Sequence, residues 1–111
     1  MVYVLTIDRR RRNINNMNSK NFSFNKDKNL ELKAARGIGF EDVITLLKSG
    51  SFICVIDHPN KMKYHNQRCA IVNINDYCYM IPFVENENEV FLKTIIPSRK
   101  LTKRYKNEKK I

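Results

Sequence analysis

The chain has only two histidines, His58 and His65, and they flank one basic loop that also carries Lys61 and Lys63. Histidine titrates near neutrality, so either could give or take a proton. His58 precedes Pro59, however, and a histidine before proline at a strand end is more often a structural turn residue. Lys93 lies in an apolar run between Phe91 and Ile95, on the strand face those two would share. There it either reaches past the sheet rim as a charge that discourages aggregation, or is partly desolvated. Desolvation favours the neutral, proton-accepting form of the amine. Tyr105 could stack on a base or donate a proton, but packing beside Leu101, one helical turn earlier, is its plainer role. His58, His65 and Cys69 make a poor metal site. Their spacings of seven and four residues match no common zinc pattern and supply no fourth ligand.

Charge gives a second lead. The net charge of +10 is confined to the two ends of the 111-residue chain. Residues 1–20 carry Arg9, Arg10, Arg11, Arg12 and Lys20 against Asp8. Residues 97–111 carry seven basic groups, among them Arg99, Lys100, Lys103 and Arg104, against Glu108 alone. The stretch between them is neutral, with nine groups of each sign. Basic charge distributed this way suits a polyanion, either nucleic acid or an acidic membrane surface, although solvated tails would look the same. Arg9–Arg12 would strengthen binding to any nucleic acid without choosing a sequence.

These groups need a frame, and the chain is long enough for one domain. Apolar content of 42% is ordinary for a globular protein. No apolar run nears the ~20 residues a membrane helix needs. The apolar start precedes its arginines, the reverse of a secretory signal. Three cysteines, Cys54, Cys69 and Cys78, fall in apolar runs with no C-x-x-C pair, which fits free thiols in a reducing cytoplasm.

Residues 1–21, Asn-rich and basic, read as a poorly ordered extension, within which Met17 could serve as an alternative start. Residues 22–111 read as a single domain. Asn25 is a suitable N-cap for a helix over Lys26–Arg36, with Gly37 as its left-handed C-cap. Phe40, Val43, Ile44 and Leu47 form one apolar stripe of a second helix, ended by Ser49-Gly50. Four strand-like runs follow, at Phe52–Asp57, Arg68–Ile74, Tyr77–Val84 and Val90–Ile96. Asn75-Asp76 makes a two-residue turn, and Pro82 implies a bulge or an edge. Ser98 could cap a basic helix carrying Leu101 and Tyr105 on one face. The expected class is α+β, with two N-terminal helices packed on a four-stranded antiparallel sheet and a basic C-terminal helix.

Phe22-x-Phe24-Asn25-x-x-Lys28-Asn29, then Arg36-Gly37-Ile38-x-Phe40-Glu41, then Arg68 opening a strand, then Ile95-Ile96-x-x-Arg99-Lys100 before a basic helix resemble the BrnT family of toxins. That family belongs to the RelE/ParE-like group of toxin–antitoxin ribonucleases, and the resemblance spans about residues 22–106. It implies a toxin that cuts RNA without metal or other cofactor and inhibits translation. It also implies a cognate antitoxin encoded alongside, which occludes the toxin in a dimer or heterotetramer. The family's functional basic positions fall on Arg68, Arg99 and Lys100. Arg36 stands where the family commonly has histidine, Gln67 where it has an acid, and Thr94 where it has arginine.

Metal-free RNA cleavage must move the 2′-hydroxyl proton, stabilise charge at phosphorus and protonate the leaving oxygen. Arg68 and Arg99 suit the second task, because a planar guanidinium matches two phosphate oxygens. Lys93 or His58 would move the proton, with Lys100 beside them. Arg36, Lys63, Lys103, Arg104 and Tyr105 are the expected RNA contacts. Two other readings share these residues: a non-catalytic nucleic-acid-binding protein of the same fold, and a ParE-like toxin acting on a protein target.

Overall fold

The computed structural model describes residues 20–105. The expected extension over 1–21 therefore lies outside the described residues, apart from Lys20 and Asn21. Among the described residues the chain is α+β, with three helices and one mixed sheet of six strands.

A short strand comes first, β1 (Asn21–Phe24), where Phe22 and Phe24 alternate toward the core. Asn25 then accepts the Lys28 amide at 2.9 Å and starts α1 (Lys26–Arg36). Gly37, at φ 75°, stops it, a backbone angle that a side chain would strain. Helix α2 (Phe40–Ser49) starts at once and buries Phe40, Val43 and Leu47. Its N-cap, Gly39, has no side chain to offer. Asn29 of α1 substitutes, accepting the Phe40 amide at 2.7 Å and donating to Glu41 at 3.0 Å. Asp42 completes the cap by accepting the Gly39 amide.

Strands β2 (Cys54–Asp57), β3 (Arg68–Ile74), β4 (Tyr77–Glu85) and β5 (Glu89–Leu92) form successive antiparallel pairs. Asn75 and Asp76, both at positive φ, make the β3–β4 turn and set its register, so that Arg68 faces Phe83. Strand β6 (Ile96–Pro97) then pairs with β4, and α3 (Arg99–Arg104) follows, with Ser98 accepting the Leu101 amide as its cap.

Two expectations are corrected. The sheet is not four antiparallel strands, because β1 adds at the edge, parallel to β5. Four residues with two apolar positions give too short a pattern to distinguish a strand from a loop. The expected single strand over Val90–Ile96 is also two pieces. Leu92 faces Phe83 whereas Ile96 faces Met80, so one extra residue is inserted between them. This bulge lies opposite Pro82, whose carbonyl accepts the Lys93 amide and whose ring nitrogen can donate nothing back. The insertion sends Ile95 into the core and leaves Lys93 exposed, so Ile95 and Lys93 do not share a face.

The main core lies between α1, α2 and one face of the sheet, where Leu32, Phe40, Val43 and Leu47 meet Val72, Ile81, Phe83 and Leu92. A smaller cluster on the other face joins Cys54, Ile71 and Met80 to Leu101 of α3 and to Tyr105, its C-cap. No helix among the described residues is long and apolar enough to cross a membrane.

Candidate nucleic-acid interface

Helix α3 is amphipathic within six residues. Leu101 and Tyr105 pack on the sheet, and Thr102 accepts the Cys78 amide through its hydroxyl at 2.9 Å. Arg99, Lys100, Lys103 and Arg104 are exposed. Their spacing places all four within about 140° of helix circumference, so they form one outward basic face. No acid lies in the first turn, and among the described residues none of the four makes an ion pair. Two cations at the positive end of a helix weaken it slightly. The same unpaired charge attracts a polyanion. Tyr105 is anchored, its hydroxyl at 3.6 Å from Cys54 Sγ and its ring beneath Arg104.

Lys93 stands on the same face of the sheet as α3. It is one strand across from Pro82, and Pro82 is two residues along from Met80, which α3 covers. Strand spacing puts it about 8 Å from Met80. The lysine is exposed, with its Nζ at 5.4 Å from the centroid of Phe91.

Arg68 lies elsewhere. It opens β3 on the α1/α2 face, about 17 Å along β4 from Cys78, where α3 begins. Its guanidinium is bound to Glu85 and lies over the Phe83 ring. Lys20 takes the other oxygen of the same carboxylate at 3.0 Å. Burial alone would raise the Glu85 carboxyl, but hydrogen bonds and charge from Lys20 and Arg68 outweigh it and hold it below the usual range. The Arg68 guanidinium is thus already engaged by a carboxylate that it shares with Lys20. The two-residue turn at Asn75-Asp76 places position 85 on the face of position 68, but only the packed sheet shows that the two side chains meet.

His58 lies at the end of β2, where its amide donates to Gln67 and its Nδ1 accepts the Asn60 amide at 3.0 Å. Its ring packs on Tyr64 with centroids 4.3 Å apart. With Nδ1 accepting, the proton sits on Nε2, so acid–base work would require that bond to break. Lys63 lies over Tyr64, and Lys61 pairs with Asp57. His65 is exposed in the same loop. Arg36 is exposed in the last turn of α1, in the helical layer on the far side of the sheet from α3.

The structure therefore gathers Lys93, Arg99, Lys100, Lys103, Arg104 and Tyr105 on the α3 side. Arg68, His58, Lys63 and Arg36 are distributed elsewhere. Cys69 is fully buried, and burial pushes its thiol up to about 11, so it is no nucleophile in the folded protein. Among the described residues, no three His, Cys, Asp or Glu side chains come together as metal ligands. No family model, curated protein or solved structure matches the chain.

Proposed function

We propose that the chain is the toxin of a toxin–antitoxin pair, of the BrnT kind, which binds and cuts RNA without metal in the cytoplasm. The supporting observation is the unpaired basic face of α3, which carries two of the three residues singled out by the family resemblance, Arg99 and Lys100. The antiparallel run β2–β3–β4–β5 with two helices on one face is compatible with the two-helix, four-strand arrangement that the resemblance implies, with β1 and β6 beside it. In this reading Arg99 and Lys100 stabilise charge at phosphorus, and Lys93, exposed on the same side of the sheet, adds its charge to theirs. Arg68 instead fastens the far rim. A cognate antitoxin, acidic where it meets α3, covers the basic face.

A second reading has a specific observation in its favour. Arg68 and the Nδ1 of His58 are both engaged in structural bonds, so a non-catalytic RNA-binding protein of the same fold needs neither freed.

The test is expression of the full chain and of a form starting at Met17, each with and without the neighbouring gene product. Growth arrest with RNA cleavage that Arg99→Ala abolishes is the expected result. RNA bound but left intact, without growth arrest, transfers the protein to the second reading. DNA damage with intact RNA would reject both in favour of a protein-directed toxin.

A further inference from the structure

Strand β6 turns into α3 at a ladder rung that a side chain completes. Tyr79 pairs with Pro97 and Met80 with Ile96, so Cys78 comes opposite Ser98. The Ser98 amide donates to the Cys78 carbonyl at 3.0 Å, as a continuing strand would require. The return connection, from the Cys78 amide to the Ser98 carbonyl, runs through the Thr102 hydroxyl. That hydroxyl accepts the Cys78 amide at 2.9 Å and donates to the Ser98 carbonyl at 2.7 Å. The same carbonyl has already turned into the helix, where it accepts the Thr102 amide at 3.0 Å. One hydroxyl therefore carries the ladder across the point where strand becomes helix.

Ser98, Leu101, Thr102 and Tyr105 fall at i, i+3, i+4 and i+7 and make the side of α3 turned to the sheet. Arg99, Lys100, Lys103 and Arg104 occupy the opposite side and are exposed. A helix of six residues is too short to hold itself in water, and the like charges at i and i+4 weaken it further. Its place therefore depends on what ties it to the sheet. Leu101 and Tyr105 attach it by apolar packing, which is not directional and sets no rotation about the helix axis. The Thr102 bonds are directional and set one. We propose that Thr102 is the positioning residue of this interface. Its hydroxyl fixes the rotation of α3 and its angle of departure from the sheet, and so the places of the four cations. The proposal rests on the RNA-binding reading above and adds to it a residue that acts without touching RNA. Thr102→Val keeps the shape of the side chain and removes the hydroxyl. The part-buried Cys78 amide then loses that acceptor. Either water enters beneath the helix or the Ser98 carbonyl turns back to the strand, and both displace the first turn of α3.

The test compares the full chain as wild type, Thr102→Val and Thr102→Ser, with Asn29→Ala as a control that weakens the cap of α2, on the other side of the sheet from α3. Hydrogen exchange at the Cys78 amide is read in the free protein. Binding of a fluorescent oligouridylate is read at several salt concentrations, at a temperature where all four proteins are folded. Thr102→Val is expected to speed Cys78 exchange about tenfold, to weaken binding about tenfold and to lower the salt slope by about one. Thr102→Ser, which keeps the hydroxyl, should match wild type in all three. Asn29→Ala should lose stability and keep the wild-type affinity and slope. Thr102→Val with wild-type affinity and slope, or Thr102→Ser as impaired as Thr102→Val, overturns the proposal. So does a slope lowered equally by Asn29→Ala, because general stability would then explain the loss. Should Thr102→Val not fold, the wild type and Thr102→Ser carry the test: a Cys78 amide that exchanges as fast as an exposed one in either protein overturns the proposal, and protection in both supports it. Absence of any salt-dependent RNA binding by the wild type is a different failure, that of the RNA-binding reading itself, and Cys78 exchange then still decides whether Thr102 anchors α3.

Discussion

The guanidinium of Arg68, at the start of β3, is bound to the carboxylate of Glu85, two residues past its cross-strand partner Phe83 at the end of β4. The pair is one-third or less exposed, and Lys20 completes it by tying the residue before β1 to the same carboxylate. Removing Glu85 leaves two cations without their shared counter-ion, whereas removing Arg68 leaves Glu85 held by Lys20 alone. Arg68→Gln and Glu85→Gln are each expected to cost about 1–2 kcal/mol, between the values typical of exposed and of buried pairs. A double-mutant cycle in urea should give a coupling of similar size. Additive effects would show that the contact contributes nothing.

The same carboxylate sets a pH dependence. Its folded-state value lies below the ordinary 4.5, so its contribution to stability is complete above that value. As pH falls below the ordinary carboxylate range and through the lower folded value, that contribution is lost. The difference in urea midpoint between wild type and Glu85→Gln should stay constant from pH 7 down to the ordinary range and shrink below it. A difference unchanged down to pH 3 would remove Glu85 from the acid limb.

The α3 charges should separate binding from stability. Each of Lys100→Ala and Lys103→Ala is expected to reduce the salt slope of RNA binding by about one, with the same effect on unrelated sequences. Arg99→Glu with Lys100→Glu should abolish RNA binding while raising the melting temperature by about 1–3 °C, because acids suit the first turn of a helix. A fall in melting temperature would mean that these side chains also support the fold.

Helix α2 depends on a cap from another helix. Asn29→Ala strands the Phe40 amide in a buried position and should cost about 1–2 kcal/mol by chemical denaturation. Gly39→Ala should have a similar effect, since a Cβ there would lie 2.8 Å from Asn29 Oδ1, an atom fixed by the cap bond. Cβ clashes with Lys33 and Glu41 matter less, because those side-chain ends can move. Wild-type stability in both variants would show that water replaces the cap.

The three thiols should be silent in the native state. Cys54, Cys69 and Cys78 are buried, and Cys69 is held near 11 by burial. A thiol reagent at pH 8 should label none of them until denaturant unfolds the chain. Prompt labelling of Cys54 alone would show α3 lifting from the sheet, because Tyr105 lies over that thiol.

The local features were readable from the residues. The Asn25 and Ser98 caps, the Gly37 stop, the Asn75-Asp76 turn and the two-sided α3 each depend on neighbours within a few positions. So did the fate of Leu101 and Tyr105, whose spacing places both on the packed side of the helix. Three relationships needed the tertiary structure. β1 pairs with a strand about seventy residues later, and no local pattern records such a partner. The one-residue bulge opposite Pro82 put Lys93 and Ile95 on different sides, which alternation along a single strand could not reveal. Arg68, read as a phosphate ligand from its type, is claimed by Glu85, because a charge held in a fixed half-buried place finds the nearest counter-charge. Sequence therefore determined which residues carry charge and which turns they make. The packing of strands and helices decided which charges remain free to meet a partner, since only distance and burial determine whether a charge is already paired.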